Sequence, residues 1–467
     1  LSNYVLADVT RTSSDKYLYQ FLVLSITGTK RATKNLLIEL GEFFFQCVAG
    51  GISVASTVVK KTKDIMMNQR RAKPRGNDRV LVISQPDSIH TERFLGALRQ
   101  RNPDIELFLY PSNPFPFRQK LSSLCDALVK HPDGTSQITG SIYYRHILFN
   151  PMSALSGKFE HLAATIQQLQ PDFVHVNCIQ DGGYILNQAL KALPTKWNFQ
   201  ISLSVWGNDL FRYVGNPRHE PLIAEFLQVV DVLVPESLRD ISLAKKFGFK
   251  GRTTKVVQAT LTSDVLLKSF FDNTRKPKNN QILIRAADDG DRAANAVAIL
   301  GLLENIDWLV DKKIIYCGSV VDEMRLLAPL WKNDSIDFEH VNALPQDKFF
   351  RLLENTSIFI SLTLSDGLPN TFLECCASQT YPIFSTCSTV SEWLIDENLI
   401  AIDPYDKHDA SKKLQQLLSG KINITAAIEQ NFNLLSRYSE GHIDQVFFDL
   451  LGHYRNTNSQ ALIHNYK

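Results

Sequence analysis

The chain has 467 residues, enough for two or three domains with sizeable cores, so a peptide-sized or disulfide-stapled fold is excluded. Hydrophobic residues make up 44% and charged residues 21%, which excludes a disordered, collagen-like or coiled-coil protein. There are 50 Lys and Arg against 48 Asp and Glu, so the net charge is +2 and no global field draws the chain to nucleic acid. Any anion-binding site must therefore be local.

The first 77 residues differ from the rest and are predicted to form a helical, amphipathic extension. Residues 36–59 are mostly apolar, but two glutamates and a Gly-Gly pair interrupt them, so no membrane span is predicted. Eight Lys and Arg follow in residues 60–79. Residues 36–79 therefore fit either an anchor on a membrane surface or a helix that packs on the protein and continues into a solvated linker.

From Arg79 onward, short apolar runs alternate with helix-length amphipathic stretches, a pattern typical of parallel strands that are buried on both faces. The predicted strands are Val80–Ser84, Ile105–Tyr110, Phe173–Val176, Ile201–Val205, Val232–Pro235, Lys255–Gln258, Ile282–Arg285, Ile314–Cys317, Ile358–Ser361, Pro382–Ser385 and Ile400–Ile402. Two successive series of this kind predict two doubly wound α/β domains, over residues 78–272 and 273–425. The polar stretch Asn273–Asn280 is the predicted linker, and residues 426–467 are predicted to be helices.

The seven cysteines include no CxxC pair and no Cys/His cluster at zinc spacing. An odd number without a pairing pattern is typical of reduced, mostly buried thiols, so we expect a cytoplasmic protein. No basic segment followed by a short apolar run and a cleavage site opens the chain, so no secretory signal is expected.

The most informative segment is SDGLPNTFLE, residues 365–374, which directly follows a predicted strand. Here a strand is followed by a turn-forming Gly and Pro and then by the start of a helix. Such an arrangement presents backbone N–H groups and the positive helix end to an anion. Asp366 and Glu374 lie eight residues apart, one on the loop and one in the helix, where both carboxylates can face a cleft and bind hydroxyl groups. The segment therefore fits a phosphate or a sugar. The alternative is a plain strand-to-helix connection whose Gly and Pro serve only the turn.

Residues 365–374, together with Pro382-Ile383 and the SEW segment at 391–393, resemble the nucleotide-sugar site of family-4 retaining glycosyltransferases of the GT-B fold. A Glu-x7-Glu pair brackets this loop in that family, and Asp366 replaces the first Glu here. The resemblance implies that Glu374 binds the ribose hydroxyls of the donor. It also implies donor-sugar contacts from Asp366, Gly367, Leu368, Pro369 and Asn370.

Two arginines flank the loop that follows the predicted strand Ile282–Arg285. In the resembling family, a Lys or Arg at this strand end and a basic residue at the next helix start stabilise the leaving nucleoside diphosphate. Arg285 and Arg292 fall on those positions, which implies that both act as fixed cations where negative charge develops. The alternative for Arg292 is a surface ion pair with Asp289.

Three loops of the first predicted domain also resemble loops of that family. His90 lies in a Thr-x-Arg context similar to the HTxRW loop, which makes it a candidate for the acceptor or donor side of the site. The segment PDFVHVN resembles PDvVHaH, with Asn177 in place of the second His. The resemblance implies that Asn177 lies on the acceptor side, where an amide can form hydrogen bonds but cannot act as an acid or a base. SVWGND resembles the tvWGSD strand end, which implies that Asp209 faces the acceptor; its alternative role is a helix N-cap.

These features predict an α/β protein of GT-B architecture, with two Rossmann-like domains facing a cleft, that acts as a retaining glycosyltransferase. No GxGxxG or Walker loop follows a predicted strand, which argues against NAD or FAD. The resemblance implies that side-chain cations and helix ends meet the diphosphate, so no metal is expected. The expected partners are a nucleoside diphosphate sugar, with no other cofactor, and a glycan or lipid-linked acceptor. In the resembling fold the last helix crosses back to the first domain; the alternative is that it only caps the second domain.

Two other functions fit the same residues. A non-catalytic glycosyltransferase-like subunit, for which the departures at Asp366 and Asn177 argue, binds a nucleotide sugar or a partner enzyme without transfer. An epimerase of the GT-B fold converts the nucleotide sugar itself and needs no acceptor.

Overall fold

The computed structural model describes residues 78–134, 157–194, 196–271, 280–285, 292–318, 333–342, 344–393 and 400–452. The predicted extension over residues 1–77 lies outside the described residues, and so do residues 273–279 of the predicted linker. Within the described ranges, no helix combines the length and the apolar character that crossing a bilayer requires.

The first domain is built on a seven-stranded parallel sheet. Its strands are β1 (Arg79–Ser84), β2 (Glu106–Pro111), β3 (Ala127–Leu128), β4 (Phe173–Asn177), β5 (Gln200–Ser204), β6 (Val232–Val234) and β7 (Arg252–Thr253). They lie in the order β3-β2-β1-β4-β5-β6-β7, and Val80 of β1 is in register with Leu107 of β2 and Phe173 of β4. The direction of winding therefore reverses between β1 and β4, the position at which ligands collect in doubly wound sheets.

Eight α-helices accompany this sheet in the described residues. They are α1 (Ile89–Arg101), α2 (Leu121–Leu124), α3 (Lys158–Leu169), α4 (Tyr184–Ala192), α5 (Asn208–Phe211), α6 (Glu220–Leu227), α7 (Leu238–Lys246) and α8 (Asp264–Ser269), with a π-helical turn at Ile179–Gly183. In α1, the Ser88 hydroxyl caps the helix by accepting a hydrogen bond from the His90 N–H at 3.1 Å, while Phe94 and Leu98 are buried on the opposite side. This cap places His90 at the carboxyl edge of the sheet.

The second domain contains a six-stranded parallel sheet in the order β10-β9-β8-β11-β12-β13. Its strands are β8 (Gln281–Arg285), β9 (Lys313–Cys317), β10 (Asp337–Val341), β11 (Ile358–Ser361), β12 (Tyr381–Ser385) and β13 (Ile400–Ile402). Its described helices are α9 (Arg292–Leu303), α10 (Gln346–Glu354), α11 (Asn370–Ser378), α12 (Lys407–Leu418), α13 (Ile424–Leu434) and α14 (Glu440–Phe447). The two sheets confirm the predicted pair of doubly wound α/β domains.

Ten of the eleven predicted strands are confirmed to within two residues, and one is wrong. No strand forms at Lys255–Gln258; the last strand of the first sheet is β7, two residues long, and the chain then leaves the sheet. The apolar Val257 in that stretch is buried in the core from a loop, and its N–H bonds to the Pro235 carbonyl beyond the end of β6, at 2.9 Å. A buried loop therefore has the same kind of apolar sequence as a buried strand, which is why a strand was predicted here. The edge strand β10, by contrast, was missed because its DFEHV sequence is polar and partly exposed.

A single apolar cluster runs from the first domain into the second. It includes Val80 and Phe94 on one side and Leu368, Phe372 and Phe384 on the other. Because these side chains share one core, the surface that joins the domains is packed like a protein interior.

The last described helix returns to the first domain. Arg101 of α1 pairs with Glu440 and, at 2.7 Å, with Asp444 of α14. Phe447 is buried, with its ring centroid 6.4 Å from that of Phe94. The described part of residues 426–467 thus crosses back and ties the two domains together.

We expect Phe447→Ala to lower the free energy of unfolding by about 3–4 kcal/mol, since it removes a buried ring from this junction. The neighbouring Phe448 is a matched control: its side chain is 55% exposed, whereas that of Phe447 is 4% exposed. Phe448→Ala should change stability by less than about 0.5 kcal/mol. Urea unfolding followed by circular dichroism measures both. Equal effects of the two substitutions would contradict the docking of α14.

Candidate functional site

The candidate site lies where the carboxyl ends of the two sheets meet. The loop after β11 contains residues 365–370, called here the 365–370 loop, and leads directly into α11. Facing it are the start of α1 and the loops after β5 and β6 of the first domain. This is the edge of a doubly wound sheet at which ligands bind.

Hydrogen bonds within the second domain fix the shape of the 365–370 loop. The Gly367 N–H bonds to the Asp366 carboxylate at 2.9 Å, and the Gly367 carbonyl accepts from the Thr389 N–H at 3.0 Å. Gly367, Leu368 and Pro369 are buried, whereas Asp366 and Asn370 are half-buried. No side chain caps the first turn of α11, so its positive end is available to an anion.

The backbones of the two domains touch at Gly207 and Gly367. Gly207 has a φ of +65°, a left-handed conformation that favours glycine. A Cβ on Gly207 would overlap the Gly367 backbone N, and a Cβ on Gly367 would lie 2.6 Å from the Gly207 Cα and overlap the Glu236 carboxylate. Glycine at both positions therefore permits this close approach.

His90 and Asn370 form a direct bridge between the domains. The Asn370 amide donates to His90 Nδ1 at 2.7 Å, and Asn370 Oδ1 accepts from the Thr260 hydroxyl at 3.1 Å. The His90 ring also lies against Trp206, with ring centroids 5.2 Å apart. Burial, together with the charges of Arg93 and Arg285, lowers the pKa of His90 to about 4. The ring is therefore neutral at pH 7 and accepts a hydrogen bond at Nδ1.

Glu374 is buried in α11 and forms an ion pair with the first domain. Its Oε1 lies 3.2 Å from Arg93 Nη2 of α1, a partner that the sequence pattern did not predict. Burial raises the pKa of Glu374, while Arg93 and Arg285 oppose that shift. Arg285 itself is exposed at the end of β8, with Nη1 3.5 Å from the Thr371 hydroxyl in the first turn of α11. The predicted ribose ligand and one predicted diphosphate ligand therefore lie near the same helix start.

Arg292 is the first residue of α9. The position of its side chain and the preceding residues 286–291 lie outside the described part of the chain. Its implied role as a second cation stays a prediction.

Asn177 is fully buried at the end of β4. Its Nδ2 donates to the Ser84 hydroxyl at 3.0 Å, and its Oδ1 lies 3.0 Å from His175 Nε2. The amide thus joins β1 to β4 behind the site and has no exposed surface in this conformation. Contact between Asn177 and an acceptor, implied by the resemblance, requires this network to open.

Asp209 is also buried, in the first turn of α5. Its Oδ2 accepts from the backbone N–H groups of Ile179 and Trp206, each at 3.2 Å, so it joins the loops after β4 and β5. Gly207, not Asp209, is the N-cap of α5. Burial raises the pKa of Asp209 to about 7. The carboxyl fixes the loop that carries Trp206, which in turn contacts His90.

Besides Arg93, two residues of the site were missed by the sequence analysis. Glu236 and Arg239 follow β6 and face the 365–370 loop from the first domain. Glu236 is buried, accepts from the Ala259 N–H at 2.8 Å, and its pKa is raised by burial and by the neighbouring carboxylates. The signal present in the sequence was the charged segment PESLRD directly after a buried strand.

Within the described ranges, no three His, Cys, Asp or Glu side chains come together so as to hold a metal ion. The six cysteines in those ranges form no disulfide with one another, and three of them are buried.

No family model matches the chain, and no curated protein matches its sequence. Solved structures match its fold. Sucrose-phosphate synthase from Thermosynechococcus elongatus is 13% identical, with a TM-score of 0.60, over 82% of this chain and 100% of that chain. A trehalose-6-phosphate structure from E. coli, bound with UDP-2-fluoro glucose, is 11% identical, with a TM-score of 0.57, over 80% and 98%. A putative UDP-N-acetylglucosamine 2-epimerase from Listeria monocytogenes is 12% identical, with a TM-score of 0.56, over 82% and 98%. The chain has the GT-B fold predicted from its sequence.

We expect Asp209→Asn to stabilise the protein at pH 7, because Asn keeps an oxygen acceptor for both N–H groups but carries no buried charge. The folded-state pKa of about 7 lies above the unfolded value of 3.8, so ionisation of Asp209 reduces stability as pH rises between them. The gain in the free energy of unfolding should therefore grow from pH 5 to pH 7. Urea unfolding at three pH values measures it. A gain that does not change with pH would contradict this interpretation.

Proposed function

We propose that the protein is a retaining glycosyltransferase that moves a sugar from a nucleoside diphosphate sugar to a hydroxyl acceptor. Two contacts between the domains carry the proposal: Asn370, at the uncapped start of α11, bonds to His90, and Glu374 of α11 pairs with Arg93. This arrangement combines carboxylate oxygens for hydroxyl groups with a positive helix end for a phosphate.

Donor binding is assigned to the second domain. Glu374 accepts hydrogen bonds from the ribose hydroxyls, and the diphosphate lies between the start of α11 and Arg285, whose guanidinium is exposed beside Thr371. Arg292 supplies a second cation from the start of α9. The fold neighbour from E. coli, solved with UDP-2-fluoro glucose bound, supports a nucleotide sugar as the ligand class.

Binding of the donor ribose requires a change in the ion pair of Glu374. Glu374 is paired with Arg93 at 3.2 Å, so a donor must share the carboxylate with Arg93 or displace it. Displacement leaves the nearby Arg93 free to bind another anionic or hydroxyl group of the donor. The ion pair between the domains thus competes directly with donor binding.

Transfer proceeds on the face from which the diphosphate leaves. The acceptor hydroxyl oxygen bonds to the anomeric carbon as the bond between that carbon and the β-phosphate oxygen breaks. The bonding electron pair leaves with the diphosphate, and the hydroxyl proton passes to a β-phosphate oxygen. Arg285, Arg292 and the start of α11 stabilise the charge that develops, without a metal ion. His90, neutral at pH 7, acts as a hydrogen-bond partner and not as a proton donor.

A nucleotide-sugar epimerase is the second candidate, because the Listeria neighbour carries that name and shares the fold. An epimerase converts the donor without an acceptor, whereas a transferase does so only when an acceptor is present. A non-catalytic subunit binds the donor and converts it in neither case.

Calorimetric titration of the full chain with a panel of nucleoside diphosphate sugars tests the donor site. We expect one of them to bind and Glu374→Gln to weaken its affinity about tenfold, because a charged acceptor for the ribose hydroxyls is lost. Glu304→Gln, which removes an ion pair with Lys407 at 3.5 Å, is the matched control and should leave affinity unchanged. No binding by any member of the panel would contradict the proposal.

The acceptor is proposed to be a glycan or a lipid-linked sugar in surface-glycan or glycolipid assembly, with the protein at the inner face of a membrane. The support is the apolar and basic pattern of residues 36–79.

Flotation of the full chain with liposomes tests the membrane association. We expect co-flotation with anionic vesicles, weakened at high salt because screening reduces the attraction of the basic segment, and none with neutral vesicles. Absence of co-flotation with anionic vesicles at low salt would rule out the anchor.

A further inference from the structure

Arg239 of α7, in the first domain, reaches across the domain boundary and binds the 365–370 loop of the second domain. Its Nη1 donates to the Cys387 carbonyl at 2.8 Å, and its Nη2 donates to the Asp366 carbonyl. The guanidinium lies over the Phe211 ring, 4.1 Å from the centroid. The planar guanidinium, stacked on an aromatic ring, therefore joins two segments of the second domain through its two forked N–H groups.

The start of α7 is itself fixed to the second domain. The Glu392 carboxylate accepts from the Leu238 N–H at 2.7 Å and from the Arg239 N–H at 3.0 Å. A carboxylate at a helix N-terminus is stabilised by the helix dipole. Glu392 thus holds the backbone of Arg239 in place while the side chain of Arg239 holds the loop.

Several buried polar atoms around this contact have no hydrogen-bond partner in the described structure. They are Arg239 Nε, Trp206 Nε1 and the Ser365 hydroxyl. Leaving such groups unpaired costs free energy, and such groups mark places where a ligand or a second arrangement supplies the missing partner. Here they lie around the segment on which the proposed function places the donor sugar.

We propose that Arg239 is a positioning residue that sets the conformation of the 365–370 loop from the first domain and thereby couples domain closure to binding of the donor sugar. This inference rests on the proposed function for its ligand, but the positioning itself is a property of the ligand-free protein. Arg239 acts through backbone groups, because all three hydrogen bonds of its guanidinium end on carbonyl oxygens, those of Cys387, Asp366 and Gly207.

The choice of variants separates positioning from general stabilisation. Arg239→Ala removes the guanidinium, and Arg239→Lys keeps the charge but loses the planar fork that joins the Cys387 and Asp366 carbonyls. Arg437→Ala is the matched control: Arg437 also donates to a backbone carbonyl, that of Trp393 at 3.1 Å, and its guanidinium lies 5.6 Å from the centroid of that Trp ring. Neither of these contacts of Arg437 involves the 365–370 loop.

The experiment is hydrogen–deuterium exchange of the full chain without ligand, followed by donor titration. We expect Arg239→Ala to accelerate exchange in peptides covering residues 365–372 by about tenfold, with Arg239→Lys intermediate and Arg437→Ala like the wild type. The donor KM should rise in the same order, with a smaller change in kcat.

Two results would overturn the proposal. One is loop exchange in Arg239→Ala equal to that of the wild type or of Arg437→Ala. The other is equal acceleration in all peptides, including β1, which indicates general destabilisation. If the wild type binds no nucleoside diphosphate sugar, the proposed function fails, while the exchange data still decide whether Arg239 positions the loop.

Discussion

The close approach of Gly207 and Gly367 determines how the two halves of the candidate site meet. Only because neither residue carries a side chain can the loop after β5 touch the loop before α11. The other contacts across the boundary surround this point: His90 with Asn370, and Arg93 with Glu374. The shared apolar core and the returning helix α14 hold the domains in the same closed arrangement.

This closed arrangement has a free-energy cost at the site. Several predicted donor ligands are already engaged by the first domain, and buried polar atoms beside them remain without partners. A donor that replaces these contacts gains hydrogen bonds that the ligand-free protein lacks. Rearrangement of the domain boundary and binding of the donor are therefore coupled through the same side chains.

Much of the fold was predictable because buried parallel strands leave continuous apolar runs. The exceptions have physical causes: Lys255–Gln258 is apolar because Val257 packs at a loop, and β10 is polar because it is an edge strand. The position of the 365–370 loop was predictable from its turn residues and helix start. The partners across the domain boundary were not, because the contact between Arg93 and Glu374 joins residues 281 positions apart that follow no local pattern.

We propose that the protein transfers a sugar with retention from a nucleoside diphosphate sugar. The most direct test is the anomeric configuration of the product, determined by NMR after reaction of an α-linked donor with a glycan or lipid-linked acceptor. The account predicts an α-linked product, because attack and departure occur on the same face of the sugar. A β-linked product, or conversion of the donor without any acceptor, would contradict it.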